Sequence, residues 1–276
     1  MNQNFGGAWT VEKLDILSEY LNFYITALKN LRFNKIYIDA FAGSGAITIS
    51  KGEEIIEGSA RLALKAKNKF DRYIFIEKKK EYADQLQKTI DTEFSKFKNS
   101  VSVCNDDCNN ALIKLCSDID WRFNRAILFL DPYATEVNWE TLKCIAKTKA
   151  IDVWYLFPFS AVNRLMKKNG EIDSSWRDVL NRIFGNNDWE QEFYKEDPQQ
   201  NLFGTTNVYK DVSVQSLSNY VCKRLETLFP AVSKNPRVLY NSKNSPLFLF
   251  CFAVSNDSPK AIGLALKVAN YILKQK

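Results

Sequence analysis

Acidic side chains follow four apolar segments of this sequence, where together they could bind a polar ligand. The segment 35–38 is followed by Asp39 and then by two glycines, Gly43 and Gly45, one residue apart. Glycine serves where the backbone needs a positive φ or must approach a ligand closely, so this turn is a candidate cradle for a nucleotide-like ligand. The later segments end at Glu77, at Asp106 and Asp107, and at Asp131-Pro132-Tyr133.

Each of these carboxylates has a binding role and a purely structural explanation. Glu77 could accept hydrogen bonds from both hydroxyls of a ribose. Asp107, with the backbone of Cys108, could bind the amino group of an adenine. Taken singly, each acid can also be explained as a strand-end cap or a solvated turn residue, and for Glu77, which three lysines follow, the two explanations are equally good. Four such positions in order favour the binding site.

The absence of histidine and of a phosphate-binding motif narrows the choice of ligand. Ser-His-Asp catalysis, Cys-His catalysis and histidine-ligated metals are excluded. No Gly-x-x-x-x-Gly-Lys-Ser/Thr segment is present, and Thr48 stands where an NAD-binding turn has its third small residue. Few cations flank the glycine turn, whereas a pyrophosphate requires cations or a helix N-terminus. S-adenosylmethionine (SAM), which has a sulfonium and no phosphate, therefore fits better than NAD or ATP.

The composition is typical of a folded protein from a reducing compartment. Hydrophobic residues make up 46% and charged residues 25% of the 276 residues, and no apolar run is long enough to cross a bilayer. Residues 1–7 lack the build of a signal peptide, which predicts a cytoplasmic location. The six cysteines form no Cys-x-x-Cys pair, so we expect free thiols and no metal site. The net charge of +6 suits either simple solubility or a polyanionic partner.

Strands alternate with helices through the first part of the chain, and their apolar runs predict a parallel sheet with both faces covered. The predicted strands are 35–39, 72–77, 101–104, 126–130 and 151–157, followed by an antiparallel hairpin of 237–240 and 246–254. The predicted helices run from Thr10 as N-cap to Asn30, from Ser59 as N-cap to about 69, and over 78–96, 108–117, 139–147, 212–229 and 259–274. A loop on the ligand side is predicted at 50–54, and an insertion at about 158–210 with short helices at 174–184 and 189–194.

This order of elements resembles the class I SAM-dependent methyltransferase fold. That is a Rossmann-like α/β fold whose seven-stranded, mostly parallel sheet ends in an antiparallel hairpin. The resemblance implies a single methyltransferase-like domain over residues 1–276, in which the insertion shapes the substrate side. The residues expected to bind SAM are Asp39, Phe41, Gly43, Gly45, Glu77, Asp107 and Cys108.

The segment Asp131-Pro132-Tyr133 partly resembles the Asp/Asn-Pro-Pro-Tyr motif of methyltransferases that modify exocyclic amino groups. The resemblance implies that Asp131 orients or deprotonates the acceptor and that Tyr133 stacks on it. The second proline is missing, so Tyr133 stands one place early and base amino methylation stays open. A nucleic acid or nucleotide is the first expectation for the acceptor. Cytosine C5 methylation is disfavoured because no Pro-Cys nucleophile follows a strand.

Segments spread over nearly the whole chain resemble the three-Cys-motif partner (TcmP) family. They are Thr10-x-x-Lys13-Leu14, Tyr37-Ile38-Asp39-Ala40-Phe41-Ala42-Gly43-x-Gly45, Gly58-Ser59-Ala60, Phe75-Ile76-Glu77, Asp107-Cys108-Asn109, Asp131-Pro132-Tyr133, Phe157-Pro158-x-Ser160-x-x-x-Arg164 and Pro246-Leu247-Phe248. The resemblance implies a bacterial or phage protein whose gene often neighbours one for a three-Cys-motif, radical-SAM-like protein. Two functions follow: a SAM-dependent methyltransferase, or a catalytically silent SAM-binding partner subunit of that protein.

Two features in and after the fifth predicted strand have a functional and a structural explanation. Arg164 could bind a phosphate or carboxylate of the substrate, or form a structural ion pair. An aromatic set could form a stacking platform for a base, although core packing is the preferred interpretation for alternate members of the strand. The set comprises Trp154, Tyr155, Phe157, Phe159 and Trp176.

Overall fold

The computed structural model describes residues 7–48, 55–200 and 206–275. The strands are β1 (Asn34–Asp39), β2 (Ala46–Thr48), β3 (Ile55–Glu57), β4 (Arg72–Ile76), β5 (Val101–Cys104), β6 (Asn124–Leu130), β7 (Ile151–Phe157), β8 (Tyr194–Gln200), β9 (Thr206–Lys210), β10 (Ala231–Val232), β11 (Arg237–Tyr240) and β12 (Pro246–Val254). The helices are α1 (Ala8–Leu28), α2 (Ser59–Lys65), α3 (Lys80–Glu93), α4 (Cys108–Asp118), α5 (Trp139–Lys147), α6 (Phe159–Leu165), α7 (Ser174–Phe184), α8 (Trp189–Phe193), α9 (Val214–Glu226) and α10 (Pro259–Gln275), with a 3₁₀ turn at Ser95–Phe97.

One mixed sheet organises these elements, in the order β10-β12-β7-β6-β1-β4-β5, with β11 also beside β12. The strands from β5 to β7 pair in parallel, whereas β12 runs antiparallel to β7, β10 and β11. Because β10 and β11 pair with successive parts of β12, they share one edge position. The predicted mostly parallel α/β sheet with its antiparallel hairpin is confirmed, although the described residues form eight strands in this sheet where seven were expected, because β10 and β11 divide one edge position between them. Two further antiparallel hairpins, β2–β3 and β8–β9, lie outside this sheet.

Helices cover both faces of the sheet, which explains why the central strands are apolar on both sides. Every residue of β7 is buried, as are the last four residues of β1. On one face α1, α2, α3 and α10 enclose one apolar cluster, and on the other α4, α5, α7 and α9 enclose a second. Such burial on both faces is the arrangement that parallel strands require. It fixes the strand ends, and the side chains that follow them, at one edge.

The predicted N-cap residues of the first two helices, Thr10 and Ser59, are wrong. Helix α1 starts at Ala8 after Gly7, whose backbone is extended, and the Thr10 amide donates to the Gly7 carbonyl at 2.9 Å. Thr10 therefore lies within the first turn and does not cap the helix. Helix α2 starts at Ser59 itself, with Gly58 in the cap position, and ends at Lys65 because the next residue leaves the helical region. Helix α3 likewise covers only residues 80–93 of the predicted 78–96.

The region 158–210 contains more structure than its weak periodicity predicted. The predicted helix 174–184 is confirmed as α7, and α8 ends at residue 193. Helix α6 and the β8–β9 hairpin were not predicted. Helix α9 begins at Val214 because Ser213 forms a capping box with Ser216. The loop predicted at 50–54 lies outside the described residues. None of the described helices combines the length and apolarity that a membrane span requires.

Candidate functional site

The carboxyl ends of β1, β4 and β6 meet at one edge of the sheet, where a cavity of about 250 Å³ opens. This volume far exceeds the space of one water molecule, so the cavity is a candidate ligand site. The predicted site residues that line it are Phe41, Gly43, Gly45, Glu77, Asp131 and Tyr133. Asp39, Asp107, Cys108 and Arg164 are not among its lining residues. Its wall also includes residues that the sequence did not indicate as site residues, namely Trp9, Thr10, Lys13, Leu247 and Phe248.

The glycine turn after β1 has a backbone that requires glycine. Gly43 has a φ of 59° and Gly45 a φ of 84°, both in the left-handed region. A Cβ on Gly45 would lie 3.0 Å from Leu86 Cδ1, and a Cβ on Gly58 would lie 3.2 Å from the Gly45 carbonyl oxygen. The Gly58 amide also donates to that oxygen at 3.0 Å. The turn is therefore packed tightly against the start of α2 and presents bare backbone to the cavity.

Glu77 connects the end of β4 to the glycine turn. Its Oε2 accepts the Gly43 amide at 2.9 Å and its Oε1 accepts the Lys79 amide at 2.8 Å. The residue is only 8% exposed, yet it lines the cavity. Each carboxylate oxygen has two lone pairs, so both oxygens keep an acceptor position for a ligand. Glu77 can thus hold the turn and accept a diol at the same time.

Asp39 lies beneath the turn and is fully buried. Its Oδ1 accepts the Phe41 amide at 3.2 Å, and its Oδ2 accepts the Tyr37 hydroxyl at 3.4 Å. Burial raises the pKa of Asp39 to about 7, although hydrogen bonds from Ser59 and from the Phe41 amide act to lower it. Its observed contacts support the turn from below, and direct contact with a ligand stays a prediction.

Asp131, at the end of β6, forms an ion pair with Lys13 of α1. The Lys13 side chain is 5% exposed and that of Asp131 is 21% exposed, so the ammonium is the deeper partner. Lys13 Nζ also lies 4.9 Å from the ring centroid of Trp9, which in turn contacts Phe248 at 5.2 Å between centroids. The expectation of few cations near the turn therefore needs correction, because α1 brings one into the same cavity. The available signal was a lysine within the apolar stripe of α1.

Tyr133 forms part of the rim of the cavity and is 49% exposed. Lys79 Nζ lies 6.0 Å from its ring centroid and 5.1 Å from that of Tyr82. A flat aromatic surface with a cation beside it can stack on a base while a phosphate lies close to the ammonium. The rim thus presents an exposed aromatic ring with a cation beside it.

The two residues predicted to bind adenine lie at the start of α4 and do not line the cavity. Asp107 caps this helix by accepting the Asn109 amide at 3.0 Å, and Lys78 Nζ lies 3.1 Å from its carboxylate. Burial acts to raise the pKa of Asp107, but the bonds from Asn109 and Lys78 outweigh it and lower that pKa. Cys108 is buried, and burial raises its thiol pKa to about 12. The thiol is therefore not activated as a nucleophile.

Arg164 and the aromatic set lie outside the cavity lining. Arg164 is exposed near the end of α6, so binding of a substrate anion by this residue stays a prediction. The preferred packing interpretation holds for most of the aromatic residues, since Trp154, Tyr155, Phe157 and Phe159 are all buried in the two apolar clusters. Trp176 is 36% exposed, with Lys167 Nζ 5.2 Å from its ring centroid.

No protein-family model matches the sequence, and no curated protein matches it. Solved structures with similar folds include protein LPL1258 from Legionella pneumophila, at 15% identity over 82% of this chain and 94% of that one, with a TM-score of 0.43. The methyltransferase domain of bacterial CtHen1 is 12% identical over 87% of this chain and 98% of its own, with a TM-score of 0.42. The N-terminal domain of EvdMO1, crystallised with S-adenosylhomocysteine and D-fucose, is 11% identical over 86% and 82%, with a TM-score of 0.41. These similarities are remote.

Proposed function

We propose that this protein binds SAM in the cavity and transfers its methyl group to an acceptor held at the loop after β6. One observation carries the proposal: the glycine turn after β1, the carboxylate after β4 and Asp131-Pro132-Tyr133 after β6 line a single cavity. Ligands of open α/β folds bind outside the carboxyl ends of the strands, which is where this cavity lies.

The lining residues fit SAM at its methionine and ribose ends. Gly43 and Gly45 line the cavity with backbone that carries no side chain, and Glu77 keeps acceptor positions for two hydroxyls. The nearby carboxylates suit a sulfonium better than a phosphate. Asp107 and Cys108, at the start of α4, remain the residues that we propose to bind the adenine end of SAM.

SAM, when bound, supplies an electrophilic methyl group, and the chain's own residues hold the acceptor in line with it. The Lys13 ammonium contacts Asp131 Oδ2, which leaves Oδ1 to accept a hydrogen bond from the acceptor group. Tyr133 offers an exposed ring for stacking, and Lys79 a cation beside it. These features support a nucleic acid or nucleotide as the acceptor. The protein environment then acts mainly by positioning.

A second candidate is a SAM-binding partner subunit without turnover, as the TcmP resemblance implies. Two observations favour it: the second proline of the Asp/Asn-Pro-Pro-Tyr motif is missing, and Lys13 already occupies one oxygen of Asp131. Both functions need the same pocket. They differ only in whether labelled methyl groups leave SAM and reach an acceptor or a co-purified three-Cys-motif protein.

Calorimetry of the intact protein with SAM and S-adenosylhomocysteine tests the pocket. We expect both ligands to bind, and Glu77→Gln to weaken binding by about tenfold, because the charged acceptor for the ribose is lost and the new NH2 group faces one of the two backbone N–H groups that Glu77 accepts. Glu140→Gln, the same change on the exposed face of α5, is the matched control and should bind as the native protein does. If neither ligand binds the native protein, both candidate functions are refuted.

Transfer from labelled SAM to DNA, RNA, nucleotides or the co-purified partner then separates enzyme from silent subunit. Asp131→Ala should retain S-adenosylhomocysteine binding and lose transfer. If Asp131→Ala methylates as fast as the native protein, the proposed role of Asp131 is wrong. If no acceptor is methylated although SAM binds, the silent subunit is favoured.

A further inference from the structure

The loop from residue 131 to residue 138, which joins β6 to α5, is held from one side by a single buried amide. Asn109, on the first turn of α4, is 8% exposed. Its Nδ2 donates to the Glu136 carbonyl at 2.9 Å, and its Oδ1 accepts the Asn138 amide at 2.9 Å. The same Oδ1 accepts the Thr141 hydroxyl at 2.8 Å. Two backbone groups of the loop and the first turn of α5 thus converge on one side chain.

The fourth bond of Asn109 runs the other way, toward the end of β5. Its Nδ2 donates to Asp107 Oδ1 at 3.0 Å, the oxygen that also accepts the Asn109 amide. An asparagine amide has two donors and an acceptor oxygen with two lone pairs, and here all four are used. A buried network that is fully satisfied is rigid and specific, whereas an unsatisfied member is costly. A side chain that has only acceptors, or one that has no polar group, cannot form the same four hydrogen bonds.

The two ends of this network belong to different parts of the proposed site. Asp107 lies in the turn proposed to bind the adenine of SAM, and the loop carries Asp131 and Tyr133, proposed to hold the acceptor. We propose that Asn109 is a positioning residue that couples occupancy of the adenine side to the conformation of the acceptor loop. This inference rests on the proposed function, because it needs a ligand that contacts the turn at Asp107.

Coupling of this kind has a thermodynamic consequence. If the ligand restrains the turn and Asn109 transmits the restraint, then ligand binding must also make the loop 131–138 harder to open. Removing the amide should break the link in both directions. The loop then exchanges its amide hydrogens faster, and the ligand binds more weakly because one wall of its pocket is no longer held in place.

The test uses hydrogen–deuterium exchange and calorimetry on the full chain with S-adenosylhomocysteine. Asn109→Ala removes all four side-chain bonds, and Asn109→Asp keeps the shape while replacing the donor with an acceptor that faces Asp107. The control is Asn105→Ala, which removes a more exposed asparagine amide of the same segment, whose Nδ2 donates to the carbonyls of Glu77 and Lys78, both at 2.9 Å.

In the native protein we expect the ligand to protect both the glycine turn 41–45 and the loop 131–138 from exchange. Both Asn109 variants should keep protection of the turn, lose protection of the loop, and bind the ligand at least about fivefold more weakly. The Asn105 variant should keep protection of the loop. If the folded Asn109 variants bind as tightly as the native protein and protect the loop equally, the coupling is refuted while the proposed function stands. If the native protein fails to bind, the proposed function itself has failed.

Discussion

Lys13 and Asp131 form an ion pair, and we predict that replacing Asp131 lowers the free energy of unfolding more than replacing Lys13 does. Lys13 is the more deeply buried partner, with 5% of its side chain exposed against 21% for Asp131. A charge that loses its partner in the interior cannot be hydrated, whereas one at the cavity mouth can. Asp131→Ala strands the buried ammonium, and Lys13→Met strands the more accessible carboxylate.

We therefore expect Asp131→Ala to lower the free energy of unfolding by about 3–5 kcal/mol, the usual cost of breaking a buried pair. Lys13→Met should cost less, about 1–3 kcal/mol, because water in the cavity can reach the remaining carboxylate. The double variant should cost clearly less than the sum of the two, since neither stranded charge is left. Urea unfolding followed by far-UV circular dichroism measures all four proteins.

The order of the two single variants is the decisive result. If Lys13→Met destabilises as much as Asp131→Ala or more, the ammonium is not the costlier charge to strand. If the double variant is additive, the two side chains do not interact in solution. Lys13→Met should also keep S-adenosylhomocysteine binding and lower methyl transfer, because it releases Asp131 from its fixed orientation without touching Glu77.

Three further predictions test the turn, the rim and the sheet. Gly45→Ala should lower the free energy of unfolding, measured in urea, by about 1–2 kcal/mol because Gly45 has a positive φ. The control Gly263→Ala, where a Cβ on α10 meets open space, should raise that free energy by about 0.5–1 kcal/mol. Equal effects of the two changes would contradict backbone strain at residue 45. Tyr133→Leu should raise the KM for a nucleic acid acceptor about tenfold and leave S-adenosylhomocysteine affinity unchanged, since the change removes the ring proposed to stack on a base. Asp152 is a buried residue of β7. Burial raises its pKa to about 7 in the folded chain, compared with about 4 in the unfolded chain, so its contribution to stability is present below about pH 4 and is lost as the pH rises through about 7. Asp152→Asn should accordingly reduce the fall in urea midpoint between about pH 5 and pH 8, and an unchanged fall would refute the assignment.

Much of the fold could be predicted because its strands have strong local signals. The bounds 139–147, 151–157, 174–184, 237–240 and 246–254 agree with the structure, since these segments have strong apolar runs or helical stripes. The two-residue strand β10 carries no such signal, and its place is set by pairing with β12. Helix caps were less predictable, because Gly7 and Gly58 fill positions where a side-chain cap was expected.

The candidate site was predictable only as far as the strand ends. Gly43, Gly45, Glu77 and Asp131 could be placed together because parallel strands share one edge. The wall made by α1 and β12 could not, since Lys13 meets Asp131 across 118 positions of sequence. Tertiary packing, which local patterns do not encode, decides that contact.

The contact between Trp9 and Phe248 has a consequence for how the protein is made. Its two rings come from segments separated by most of the sequence, and both line the cavity. During synthesis the parallel strands β1, β4, β5, β6 and β7 emerge and can pair long before β12 leaves the ribosome. A nascent chain therefore has its glycine turn and its carboxylates in place while the pocket still lacks one side. A ligand bound as proposed would therefore gain its contacts with Leu247 and Phe248 only after β12 has been inserted beside β7.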